Sequence, residues 1–185
     1  KVDRVDVWNG YVRIIDYKTG SREFKLPDIL VGQNMQMLIY LFAICESGAQ
    51  NNTPAGVLYL PAKLPFVNIN REVSEQTLDR ERFKMMCTNG LLIDNPDVLR
   101  AMEPELAGVF IPVSTVKSGE FSKTSSLATL EQFGYIRNRI QRLLTDMAEQ
   151  LHVGAINAVP LGGDEDGCRR CDYHDICCQQ PTDPI

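Results

Sequence analysis

Two runs rich in β-branched residues, VDRVDV at 2–7 and VRIIDYK at 12–18, flank Trp8, Asn9, Gly10 and Tyr11. An Asn-Gly pair between such runs is the strongest short-range hairpin signal, because a type I′ turn needs positive φ at both central residues and these two types tolerate it. A two-residue turn at Asn9-Gly10 also fixes the register. Trp8 then faces Tyr11 and paired positions sum to 19, which sets Asp3 opposite Asp16, Lys1 opposite Lys18 and Asp6 opposite Arg13.

This register has chemical consequences. Cβ atoms of directly paired residues lie roughly 4.5–5.5 Å apart, where two like charges destabilise a sheet. A pair of carboxylates at that distance is also a hard-oxygen site suited to Mg²⁺, which removes the repulsion. Lys18 follows Asp16 by two residues, so strand alternation puts it on the same face. An ammonium there can orient a water and stabilise charge on a phosphorane-like transition state. The bland reading is a hairpin edge with solvated charges. The Asp6–Arg13 pair, of opposite sign and on the other face, reads as structural.

Beyond the hairpin, residues 33–47 read as a helix ending at Gly48. Met35, Leu38, Ile39 and Phe42 form its apolar stripe, while Gln33, Gln36 and Tyr40 share another. Gln36 and Tyr40, one turn apart, can contact a phosphate, a base edge or the lysine; the alternative is a polar face in water. Residues 56–61 and 65–70 read as two strands joined by a short turn, 76–87 as a helix and 91–93 as a short strand. The stretch 94–126, rich in Pro, Ser, Gly and Thr, reads mostly as loops. Thr129 and Gln132 make a capping-box pattern ahead of a long helix over 130–151 that Gly154 ends. Arg137, Arg139 and Arg142 lie on that helix as phosphate contacts or as a solvated face, the latter being the more ordinary role. LGGDEDG then leads into a cysteine-rich tail, so a core at 1–163 and a tail at 164–185 are expected.

The chain of 185 residues is long enough for one domain with a real core. Its net charge of −5 argues against a basic coat without excluding a local phosphate-binding groove. No apolar run reaches membrane-spanning length. The opening KVDRVDVWNG has no signal-peptide apolar region and reads like the middle of a strand, so the chain is expected to begin inside a larger protein. Of the six cysteines, Cys45 and Cys87 stand in apolar surroundings and read as small buried hydrophobes. Cys168, Cys171, Cys177 and Cys178 crowd the C-terminus, where C-x₂-C-x₅-C spacing suits Zn²⁺ or an iron–sulfur cluster. His174 can complete a zinc site. Tyr173 and Ile176 offer apolar anchors by which the tail is expected to fold back.

VDRVD followed by IIDYKTG, QMLIY and the C-x₂-C-D-Y tail resembles the nuclease domain of AddB-type subunits of bacterial helicase–nucleases and, more broadly, RecB-family exonucleases; FKMMCTNGLLIDNPDVLRAMEP resembles the AddB insert before the last helix. The resemblance spans nearly the whole chain. It implies an α/β, restriction-endonuclease-like PD-(D/E)xK fold, a mixed sheet flanked by helices with the long helix alongside. It implies a cytoplasmic, Mg²⁺-dependent DNA exonuclease that works with an AddA-type subunit on DNA ends in recombinational repair. Asp3 matches the metal aspartate of the first strand motif, Asp16 and Lys18 the D-x-K motif, and Gln36 and Tyr40 the Q-x-x-x-Y helix. Cys168, Cys171 and Cys177 match three ligands of a [4Fe–4S] cluster, whose fourth cysteine lies upstream in the family together with a further active-site residue. The chain by itself is therefore expected to hold no intact cluster, with at most weak zinc at His174 or Cys178. A stand-alone RecB-like or CRISPR-adaptation-type nuclease is the alternative enzyme. A non-catalytic DNA-binding module that keeps the fold is the alternative class, and an intact Asp3, Asp16 and Lys18 set argues against it.

Overall fold

The computed structural model describes residues 1–20, 23–47, 52–62, 74–156, 168 and 171–177. The hairpin closes as its turn residues require, with Asn9 at φ 47° and Gly10 at φ 80°. β1 (Arg4–Trp8) pairs antiparallel with β2 (Tyr11–Lys18) from Trp8↔Tyr11 to Arg4↔Ile15, so every pair keeps the expected sum. β2 runs parallel to β3 (Thr53–Pro61), and a parallel neighbour demands a crossover. That connection carries α1 (Leu26–Leu30) and α2 (Gln36–Ser47). β3 pairs antiparallel with β4 (Asn89–Ile93), and β4 parallel with β5 (Leu127–Ala128), giving a mixed five-stranded sheet in the order β1-β2-β3-β4-β5. β3 and β4 approach closely where Gly56 sits at φ 136°; a Cβ there would stand 2.2 Å from the Leu91 carbonyl oxygen. The α/β class expected from the sequence is the one observed.

The chain forms two compact units. The first, Lys1–Phe24 with Met37–Phe133, contains the sheet; the second is Lys25–Gln36 with Gly134–Ile185. In the first unit, Ile15, Leu58 and Leu92 make one sheet face and join Leu99, Leu106, Ile111 and Val113 in a buried cluster. Strand alternation puts Val12, Ile14, Val57 and Leu91 on the opposite face, and all four are buried. α2 buries Met37, Leu38, Leu41 and Phe42. Phe42 meets Phe133 edge-on, with centroids 6.5 Å apart and planes at 77°, a favoured aromatic geometry.

Several expectations need correction. α2 begins at Gln36, three residues later than expected, because Gly32 (φ 97°) and Asn34 (φ 54°) turn the chain just before it. The stretch 94–126 is mostly loop, as expected, except for a helix near its start: α4 (Pro96–Met102) is capped by Asn95, whose Oδ1 accepts the N–H groups of Asp97 and Val98 at 3.1 and 3.3 Å. Asn at the cap, Pro in the first turn and Asp beside it form a complete helix-start signal, hidden here by the Pro- and Ser-rich composition around it. The loop after α4 is organised by Glu103, only 4% exposed. Its Oε1 accepts N–H groups from Ala107 (3.1 Å) and Val109 (3.0 Å), and its Oε2 accepts those of Phe110 and Ile111 at 3.0 Å each. Burial alone pushes this carboxyl upward, but the four backbone donors outweigh it and hold it below the ordinary glutamate range.

α3 (Glu75–Met86) and α5 (Leu130–His152) form close to expectation. The capping box is present: the Gln132 N–H donates to Thr129 Oγ1 at 3.2 Å, and the Thr129 N–H to Gln132 Oε1 at 2.8 Å. Gly154 at φ 71° closes α5. Arg137, Arg139 and Arg142 are exposed, and Arg139 Nε donates to the Leu30 carbonyl at 3.0 Å. The strand expected over 65–70 lies outside the described residues. The tail contains one helical turn, α6 (His174–Cys177). Tyr173 is 68% and Ile176 76% exposed, so among the described residues neither is buried as the expected apolar anchor. Among the described residues no helix is long and apolar enough to cross a membrane.

Candidate active site

Asp16 and Lys18 end β2 on one face of the sheet, two residues apart. Lys18 Nζ lies 2.5 Å from Asp16 Oδ2, with the side chains 30% and 24% exposed. That oxygen is buried, and the contact is a charge pairing without hydrogen-bond alignment. Tyr59 on β3 is the direct parallel partner of Asp16, so it shares this face. Lys18 Nζ stands over the Tyr59 ring, 5.4 Å from its centroid, within cation–π range.

Asp3 lies one residue outside the β1–β2 ladder, which stops at Arg4↔Ile15. A continued ladder would give the Tyr17 N–H to the carbonyl of Val2. Instead Asp3 Oδ2 accepts that N–H at 3.1 Å. Asp3 is thus held at the backbone amide next to Asp16, by a side-chain contact and not by strand pairing. The Lys1 backbone nitrogen lies 3.4 Å from Tyr40 Oη, so α2 passes close to the start of β1. Asp3, Asp16, Lys18 and Tyr40 therefore gather at one end of the hairpin. Gln36 is exposed, opens α2 one turn before Tyr40 and belongs to the second unit.

The donor set suits a hard divalent cation. Asp3 and Asp16 each engage one carboxylate oxygen, and among the described residues their Oδ1 atoms carry no hydrogen bond. No group of three or more His, Cys, Asp or Glu residues converges among the described residues. A Mg²⁺ ion held by one or two carboxylates, with water and phosphate completing an octahedron, needs no more than this. The small pocket on the other face, lined by Asp6, Trp8, Tyr11, Arg13 and the α4 residues Val98 and Met102, takes in none of the candidate residues. There Asp6 accepts from both Arg4 and Arg13; burial raises its carboxyl, the two guanidinium groups together outweigh that, and the net shift is downward. This is the structural pair the sequence suggested.

Two polar residues of the site face left no readable trace in the sequence. Tyr59 sits in GVLYLP and Asn89 in NGLLI, both apolar strand patterns. Asn89 pairs with Tyr59 across β3–β4, and its Oδ1 accepts the Phe24 N–H at 2.8 Å, tying down the chain that leaves β2. Asp16, Tyr59 and Asn89 thus form a row across three strands.

In the tail, the Cys171 N–H donates to the Cys168 carbonyl at 3.2 Å, so the C-x₂-C pair lies on a tight turn. Cys168 is half-buried and Cys171 exposed. Cys177 falls in α6. Two cysteines on such a turn fit soft-metal or cluster ligation. Cys45 is different: burial, with Glu46 adding to it, pushes its thiol up to about 11. Cys87 is raised by burial and then by Glu103.

The sequence is similar to bacterial proteins named as one of the subunits of an ATP-dependent helicase/deoxyribonuclease. It is 36% identical to those of Thermoanaerobacter sp. (strain X514) and Clostridium kluyveri (strain NBRC 12016), and 32% identical to that of Acetivibrio thermocellus, in each case over 96% of this chain and 16% of the relative. The chain therefore spans about a sixth of the length of these curated relatives. Residues 1–178 match the PD-(D/E)XK nuclease superfamily. With a D-x-K pair ending a central strand of a mixed sheet and a match over nearly its whole length, the chain belongs to the PD-(D/E)XK nuclease superfamily.

Proposed function

We propose that this chain is the Mg²⁺-dependent deoxyribonuclease domain of a helicase–nuclease subunit, acting as an exonuclease on DNA ends in recombinational repair. The observation that carries the reading is the Asp16–Lys18 contact of 2.5 Å beside Asp3 at one end of the sheet. The names of the relatives supply the helicase context, an AddA-type subunit is the natural partner, and the cytoplasm is where bacterial chromosomal DNA is found. Asp3 and Asp16 would hold Mg²⁺, which when bound offsets phosphate charge and activates water. Lys18, fixed by Asp16, orients the attacking water and places positive charge where the phosphorane-like transition state becomes more negative. Tyr40 and Gln36 line the strand path with neutral hydrogen-bonding groups. Cys168, Cys171 and Cys177 supply three thiolates to a [4Fe–4S] cluster that fastens the tail; iron and sulfide analysis of the anaerobically purified full-length protein tests that part.

The test of the catalytic reading is Asp16→Ala and Lys18→Ala in the full-length protein with its partner subunit, assayed for Mg²⁺-dependent cleavage of linear DNA. Each should lose at least about a hundredfold in kcat, the usual scale for deleting a preorganised charge-stabilising group, with ATPase and melting temperature preserved. Near wild-type cleavage by either variant rejects the site.

A further inference from the structure

We infer that Tyr59 is a positioning residue for Lys18, its ring fixing where the ammonium sits relative to Asp16. This rests on the proposed role of Lys18. Three observations converge on it. Parallel pairing with Asp16 puts Tyr59 on the active face. It is 6% exposed on a strand held on both sides, by β2 and β4, so its ring has a fixed station. And Lys18 Nζ lies over that ring at 5.4 Å from the centroid while touching Asp16 Oδ2 at 2.5 Å.

The physical need is plain. A lysine side chain has four rotatable bonds and high rotamer entropy when free. Its position at the end of β2 leaves it part-exposed, so one carboxylate contact alone does not fix its azimuth. If Asp16 also binds a cation, its oxygens are shared and the lysine loses part of the anionic anchor that Asp16 gives it. The quadrupole of the Tyr59 face attracts the ammonium without competing for metal and without neutralising it. Asn89, opposite Tyr59 and bonded to the Phe24 N–H, steadies the same region from the next strand.

The ring face, and not the hydroxyl, is what this role requires. Tyr59→Phe should therefore keep kcat within about threefold of wild type, while Tyr59→Leu should lower it about tenfold with KM little changed, the scale of one part-desolvated cation–π contact. Tyr59→Met, which keeps volume without an aromatic face, covers the case in which Leu does not fold. All are measured in the full-length protein with its partner subunit, per folded molecule. Nuclear magnetic resonance gives a readout independent of activity: the Lys18 Cε protons should lie upfield in wild type and Tyr59→Phe, and return to ordinary shifts in the Leu or Met variant. Wild-type kcat in Tyr59→Leu or Tyr59→Met, with Lys18→Ala inactive, overturns the inference and leaves the proposed function standing. An equal loss in Tyr59→Phe and Tyr59→Leu overturns it in favour of the hydroxyl. Activity retained by Lys18→Ala removes the proposed function and this inference together.

Discussion

Glu103→Gln is the perturbation whose consequence can be worked through most fully. The carboxylate accepts four backbone N–H groups over residues 107–111, two on each oxygen. Glutamine keeps one oxygen and replaces the other with an NH₂ group, so two of the four bonds are lost and donors are set against donors. A hydrogen bond to a charged acceptor contributes about 1.5–3 kcal/mol, and a buried donor left without a partner costs about 1–3 kcal/mol. Of the four bonds only that to Ile111 is fully buried; the other three are part-buried, so water recovers part of the loss. The expected destabilisation is about 3 kcal/mol, in the range that marks a broken buried network. The pH dependence follows in sign. The folded-state carboxyl is held below its unfolded value, so its contribution is fully present above the unfolded glutamate pKa of about 4.3 and is lost as pH falls through the lower folded value. Urea unfolding of wild type and Glu103→Gln at pH 7 and at steps down to pH 3 reads both effects. The gap between them should be widest at pH 7 and should narrow on acidification. A difference under about 0.5 kcal/mol at pH 7, the scale of ordinary surface changes, or a gap constant with pH, would show that the Glu103 carboxylate does not hold this loop.

Asn95→Ala removes the cap of α4 and the 3.2 Å contact from Asn95 Nδ2 to Tyr11 Oη; it should destabilise by about 1–2 kcal/mol, visible as a lower denaturation midpoint at unchanged m-value. Cys45, raised to about 11, and Cys87, also raised, stay protonated at pH 8 and should resist alkylation, while exposed Cys171 reacts first when no metal is bound; mass spectrometry of timed iodoacetamide labelling checks the order.

The hairpin was legible because its determinants are local: Asn9 and Gly10 accept positive φ, and a two-residue turn dictates the register of everything paired after it. The capping box at Thr129 and Gln132 was legible for the same reason, since donor and acceptor lie three residues apart. The start of α4 was equally local, and the composition of its surroundings concealed it. Asp16 and Lys18 were placed on one face by alternation alone.

What the sequence could not decide depends on groups far apart in the chain. Tyr59 reaches Lys18 only because β3 lies parallel to β2 in one particular register. Glu103 becomes the centre of a loop only when four N–H groups turn toward it, and Asn89 meets Phe24 across 65 residues. Asp3 reaches the neighbourhood of Asp16 by a contact the register does not predict: strand pairing ends at Arg4, and a side-chain bond to the Tyr17 N–H takes over. Local rules fix turn type, caps and the face of each strand residue, because they depend on φ, ψ and period. Which polar groups then meet is settled by strand order and register across the crossover, where the burial of Val12, Ile14, Val57 and Leu91 on one face favours a single alignment and carries the site residues with it.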